Sequence, residues 1–336
     1  LHHLFINRKA VSSVMLGPPY NHTMEPPATL LVGIPGLQSS HLWLVTSLNI
    51  MYTIALLENT LIVTVMWMDS TLQEPMYCSL DILAAVDTVM ASLVAPKMVS
   101  IFSLGDSFIS FNACFTQMYF VHAATAVETG LLLATAFCYV AICKPLHYKR
   151  ILTPQVILGT SVIITIGAII FMTPLSWMVS HLPFCGSNVV LHSYCEHIAV
   201  AKLAYAHPMP SSLYSLIGSS ITVGSDVAFI AASYNLILQA VFGLSAKNAQ
   251  LKALSTCGSH VRVMALYYLP GMASIYVAWL GKDTVPLHIQ VLVADLYLII
   301  PPTSNPIIYA LRTKQIRERT WSLLTHCLFN HSNLGS

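Results

Sequence analysis

Polar positions are sparse along this chain, and between them run seven long stretches that are almost continuously apolar. The cleanest are Trp43–Trp67, Val156–Val179 and Ile289–Leu311; the others are Pro75–Phe102, Cys114–Cys143, Ser211–Leu244 and Ala253–Leu280. A bilayer core of ~30 Å needs ~20 apolar residues per spanning helix, and each stretch meets that length. None shows the ten-residue alternation of a membrane barrel, so the pattern predicts helices rather than strands. The expected fold is an all-α, seven-transmembrane helix bundle spanning residues 43–311. An amino-terminal segment of residues 1–42 precedes it, and a tail of residues 312–336 with a short amphipathic helix follows.

Composition agrees with that reading. Of the 336 residues, 56% are hydrophobic and 8% charged, against roughly 25% charged in a soluble domain. An odd number of spans puts the two ends of the chain on opposite sides of the membrane, and basic residues decide which is inside. Lys144, Lys149 and Arg150 follow the third span, Lys247 and Lys252 the fifth, and Arg312, Lys314, Arg317 and Arg319 the seventh. Those loops are expected to be cytoplasmic and the amino terminus extracellular, where the sequon Asn21-His22-Thr23 is open to glycosylation. The net charge of +2, with no basic run interleaved with aromatics, speaks against nucleic acid as a partner.

Other chemistries find little support. There is no zinc-spaced His pair, nucleophile elbow or phosphate loop, so no enzyme and no metal centre is expected. Internal repeats and matched broken helices are missing too, which disfavours a transporter; so does the lack of a charged pore ring for a channel. Of the eight Cys, Cys114, Cys185 and Cys195 fall on the oxidising side, enough for one bridge. Pairing Cys114 with Cys195, pairing Cys185 with Cys195, and leaving all three free stay open on the residues alone.

Several motifs resemble those of vertebrate odorant receptors, within the rhodopsin-like G-protein-coupled superfamily. They are Leu72-Gln73-Glu74-Pro75-Met76-Tyr77, Tyr139-Val140-Ala141-Ile142-Cys143-Lys144-Pro145-Leu146, Ser233-Tyr234, Lys252-Ala253-Leu254-Ser255-Thr256-Cys257-Gly258-Ser259-His260, and Pro302-Thr303-Ser304-Asn305-Pro306-Ile307-Ile308-Tyr309. The long outer loop, with Pro183-Phe184-Cys185 and Ser193-Tyr194-Cys195-Glu196-His197, is similar to the fish-like class I branch, family 52. The resemblance implies a plasma-membrane receptor for a small volatile that activates a stimulatory G protein and raises cyclic AMP. It favours the Cys114–Cys195 bridge. It also implies ligand contacts at Val121, His122, Thr125, His197, Met272, Ile275 and Trp279, and G-protein contacts at Tyr139, Lys144, Pro145, Lys252 and His260.

Ionisable groups inside a membrane mark water, an ion or a partner by default. Asp87, with Asn59, Glu128, Asn305, Pro306 and Tyr309, resembles the sodium and switch network of the superfamily, with Tyr234 and Tyr268 as further members; a sodium ion is expected near Asp87. Asp226 matches an acid of class I receptors with no derivable partner, and neither Asp81 nor Glu58 has an evident role. Glu58 replaces a glycine usual in the family, which should loosen helix packing. Trp279 stands where carboxylate-reading members carry a basic residue, so a neutral volatile is expected. The largest departure is at Ala136-Phe137-Cys138-Tyr139, where the family writes an Asp-Arg pair before the Tyr; one residue is deleted and both charges are gone. The expectation is a receptor scaffold with impaired coupling, or a relic that does not couple. The usual partner of Cys185 is replaced by Tyr205.

Overall fold

The computed structural model describes residues 28–35, 41–69, 75–142, 153–184, 188–204, 209–243, 246–281, 284–312, 316–322 and 325. Seven long helices dominate it: α1 (His41–Met68), α2 (Pro75–Val99), α3 (Phe111–Ile142), α4 (Pro154–Ser180), α5 (Met209–Phe242), α6 (Lys247–Leu280) and α7 (Leu287–Arg312). At a rise of ~1.5 Å per residue the shortest is about 37 Å long, enough to cross the hydrocarbon. Hydrocarbon offers no partner for N–H and C=O groups, so an apolar run can cross it only in a conformation that pairs them internally. Helix α6 starts six residues before the apolar stretch read from the sequence, because polar turns that project past the membrane remain helical.

Composition alone marks α1, α2, α4, α5 and α7 as apolar enough to cross, with a shorter apolar stretch, Met264–Leu280, in α6. Among its described residues α3 packs against protein and buries the polar side chains Gln117, Glu128 and Thr129. The apolar windows of α4 and α5 are only 17% buried, against 56% for α7; α4 and α5 therefore line the rim and α7 the centre. Thr153 caps α4, its hydroxyl accepting from the Val156 N–H at 3.3 Å, with Pro154 in the first turn where a missing N–H does no harm.

One end of the bundle is covered. Strand β1 (Thr29–Leu31) lies between β2 (Phe108–Ile109), antiparallel to it, and β3 (Val189–Val190), parallel to it. This small sheet sits on the turn Ser100–Leu104, which Gly105 closes at φ +68°. Ile34 is fully buried in a cluster with Met90, Met98, Val121, Tyr194 and Val291. The bond Cys114–Cys195, S–S 2.01 Å, ties the long loop to the start of α3. At the opposite end a helix over 316–322 buries Ile316 against Ile62, Val65, Tyr77 and Leu80, and Arg319 Nε pairs with Asp69 at 2.7 Å.

Two acids within the apolar stretches differ in their surroundings. Asp81, which has no role in the sequence reading, accepts a bond from Trp67 Nε1 at 3.1 Å. Glu58 buries Oε2 with no partner among the described residues. An unpaired buried oxygen costs about 1–3 kcal/mol, so Glu58→Leu should raise the melting temperature of the detergent-purified chain; an unchanged or lower value would show that Glu58 is not a packing defect.

Candidate functional site: a lidded cavity above a polar core

Beneath the covered end lies a cavity of about 440 Å³, within the range of small-molecule sites. Helix α3 contributes Val121, His122 and Thr125; α6 contributes Ile275 and Trp279; α7 contributes Gln290 and Tyr297. The roof is the long loop, with His192, Tyr194, Glu196 and Lys202. Besides the disulfide and the pairing of β1 with β3, three hydrogen bonds among the described residues help to hold that roof. Cys195 N–H donates to Gln117 Oε1 (3.0 Å), Ser193 Oγ donates to Asp295 Oδ2 (2.8 Å), and Gly33 N–H donates to His192 O (3.1 Å). Glu196 caps the five-residue helix His197–Ala201, accepting from Ala199 N–H at 2.7 Å.

The cavity is mostly apolar, with His122 in its wall and His197 behind it. His122 buries Nε2 without a hydrogen-bond partner among the described residues, and so does His197 with both ring nitrogens. The two rings meet edge to face at 6.1 Å. Burial lowers the His197 imidazole to about 3, helped by repulsion from His122. Burial likewise lowers His192 to about 3, with Lys202 adding to the effect; its Nδ1 accepts from Ser193 N–H at 3.0 Å, which requires the neutral ring. Burial pushes the Glu196 carboxyl up, opposed by backbone N–H groups and Lys202.

The floor is a clasp between α3, α6 and α7. Tyr267 hydroxyl pairs with Thr129 Oγ1 at 2.7 Å and donates to the Thr125 carbonyl at 3.0 Å, while Tyr297 hydroxyl reaches Tyr267 hydroxyl at 3.4 Å. Gly271 makes room for Tyr297, since a Cβ there would stand 2.8 Å from the ring. Below the floor, Asn305 Nδ2 donates to Asp87 Oδ2 at 3.0 Å, and Glu128 lies within hydrogen-bonding reach of the same carboxyl. Asn59 Nδ2 donates to the Pro302 carbonyl at 2.8 Å. That carbonyl lies four residues before Pro306, which has no N–H to offer it, so the side chain of α1 takes the place of the missing helix bond.

The family model described as "Olfactory receptor" matches residues 48–327. The chain belongs to the olfactory receptor family. It is similar to Olfactory receptor 52I2 of Homo sapiens, 79% identical over 338 residues, covering 100% of this chain and 97% of that one. Olfactory receptor 52I1 of Homo sapiens is 77% identical over 324 residues, with 96% and 100% covered. Olfactory receptor 51E2 of Homo sapiens is 40% identical over 295 residues, with 88% and 92% covered. The chain is thus a multi-pass plasma-membrane receptor of family 52, rhodopsin-like in its seven-helix bundle and not an enzyme, and its family implies an odorant and a G protein as partners in general.

The receptor brings together Val121, His122, Thr125, Ile275 and Trp279 in the cavity wall. His197 is displaced behind His122, and Met272 lies outside the wall because Tyr297, seated on Gly271, closes the floor at that turn. Asn59, Asp87, Glu128 and Asn305 share the polar core, but Tyr268 joins Asp226 instead, at 3.1 Å, which supplies the partner of that acid. Tyr234 packs beside the central apolar cluster of Leu83, Val127 and Met264. Asn21, Lys144, Pro145, Cys185 and Tyr205 lie outside the described residues, as do the side chains of Tyr139, Lys252, His260 and Tyr309. Sequence reasoning missed Asp295, which an acid inside the seventh apolar stretch should have signalled. Lys202, which the basic-residue count does not single out, lines the roof.

Acid should loosen the lid. His192 and His197 are held below their unfolded value near 6.5, so their contribution is intact above that pH and is lost as pH falls from 6.5 toward 3, by up to about 1.4 kcal/mol per pH unit for each ring. Glu196 acts with the opposite sign but is a single group. The melting temperature of the purified receptor should therefore drop between about pH 7.5 and pH 5, and His197→Leu should shrink that drop. An equal drop in the variant would exclude His197 as a source.

Proposed function

We propose that this receptor binds a small, neutral volatile with one hydrogen-bonding end in the cavity between α3, α6, α7 and the lid, and signals through a stimulatory G protein to raise cyclic AMP. The observation that carries the reading is a mostly apolar cavity whose wall includes His122, with Nε2 lacking a partner among the described residues. A hydroxyl or carbonyl of the ligand would meet that ring, and Ile275 and Val121 would pack its hydrocarbon part. A carboxylate fits less well. Trp279 supplies no cation, and the charge of Lys202 is shared with Glu196 in the same roof.

In the proposed orientation the lid and Asn21 face outward, with Asn21 open to glycosylation, and the basic loops after α3, α5 and α7 face the cytosol. Tyr139, Lys144, Pro145, Lys252 and His260 would then meet the G protein. The core of Asp87, Glu128 and Asn305 would hold water or a sodium ion, and Asn305-Pro306 would let α7 change shape during activation.

A second reading rests on one specific observation. The Asp-Arg pair usual before Tyr139 is missing, and α3 continues as helix through the shortened segment to Ile142. The scaffold would then bind ligand without coupling. Surface display and cyclic AMP should be recorded against neutral and acidic volatiles for this chain and for a version with Asp-Arg restored before Tyr139. Signal from the unaltered chain supports the first reading; display with signal only after repair supports the second. In whichever version signals, His122→Phe should raise the half-maximal concentration for a neutral agonist roughly two- to tenfold, the value of one hydrogen bond. No change would remove His122 from the ligand site.

A further inference from the structure

A second, larger hollow lies on the outside of the bundle, facing the membrane. It is an open groove of about 1040 Å³ between α2, α3 and α4, joined at one end by Trp67 of α1. Its walls are apolar and exposed: Val89 at 52%, Phe120 at 49%, Leu158 at 57% and Ile169 at 43%. Small side chains, Ala85 of α2 and Ala123 of α3, leave the trench between them. From Gln155 to Ile169 it follows α4 for about 21 Å at ~1.5 Å per residue, somewhat more than one leaflet of a ~30 Å hydrocarbon core.

One end of the groove carries an acid that the receptor reading does not use. Asp81 Oδ2 accepts from Trp67 Nε1, while Asp81 Oδ1 is shielded and has no partner among the described residues. Among the described residues no Lys or Arg lines the groove. Trp67 stands one residue before the end of α1, with 78% of its surface exposed, so it occupies the interfacial zone where exposed tryptophans settle. Its bond to Asp81 fixes the carboxyl at the same depth, among lipid head groups. A carboxylate oxygen shielded from water at that depth is stabilised most by a cation that also donates a hydrogen bond.

We propose that this groove is a binding site for an ethanolamine phospholipid, its ammonium on Asp81 Oδ1 and an acyl chain lying along α2, α3 and α4. In the orientation proposed above, the lipid belongs to the cytoplasmic leaflet. Choline lipids share the charge but have no N–H to donate, a sterol hydroxyl donates without charge, and anionic head groups meet a carboxylate of like sign. The site is independent of the odorant cavity, which opens to the other side of α3.

The full chain, purified in detergent with equal amounts of phosphatidylethanolamine, phosphatidylcholine and cholesterol, can be weighed with its bound lipids by native mass spectrometry. The expected result is retention of one phosphatidylethanolamine at several times the level of phosphatidylcholine. Asp81→Asn should bring the two to parity, and Ala85→Trp, which fills the groove from a membrane-facing position, should reduce retention of both. Equal retention by the unaltered chain, cholesterol as the main adduct, or an ethanolamine preference that survives Asp81→Asn would overturn the assignment. So would a dimer abolished by Ala85→Trp, which would give the groove to a second copy.

Discussion

A helix that crosses hydrocarbon must settle every backbone hydrogen bond without water, and the interior of this protein is arranged around that demand. The critical case is α7, where Pro306 cannot pair with the carbonyl of Pro302. Asn59 fills the gap from α1, and the adjacent Asn305 reaches Asp87 on α2. A break in one helix thereby becomes a junction of three. The same reasoning explains why buried acids and amides lie next to other protein: Asn59 on α1, Asp87 on α2, Gln117 and Glu128 on α3, Asp226 on α5, and Asp295 and Asn305 on α7.

Much of this was legible from the sequence, and what was not has physical causes. Spans could be read because length and apolarity in a membrane are nearly sufficient to specify a helix. Their ends were less sharp, since polar turns such as those opening α6 stay helical in water. The Cys114–Cys195 bond followed from the resemblance rather than from spacing, which left three pairings open. Within the cavity, Val121, His122 and Thr125 of α3 followed from the resemblance. The positions of Met272 and His197 did not, because depth depends on where Tyr297 closes the floor and how far the lid descends. Asp81 and Asp226 gained partners, Trp67 and Tyr268, from neighbouring helices, information that no single run of sequence contains.

The shortened inner end of α3 presents a different balance. A lost residue in the middle of a helix turns everything after it by about 100°, yet α3 stays helical to Ile142 because backbone pairing does not depend on which side chains follow. Structure and signalling can therefore part company in this chain. The fold rests on backbone pairing, the disulfide and the polar core, none of which includes the missing pair of charges.

The small sheet over the cavity has a consequence for time rather than for strength. Strand β1 is stitched to both neighbouring loops, the disulfide anchors the longer one to α3, and Ser193 fastens it to α7 at Asp295. A molecule beneath such a cover escapes only as often as several fastenings open together. How long a scent lingers at the receptor would then be governed by the roof, while its identity is judged by the walls.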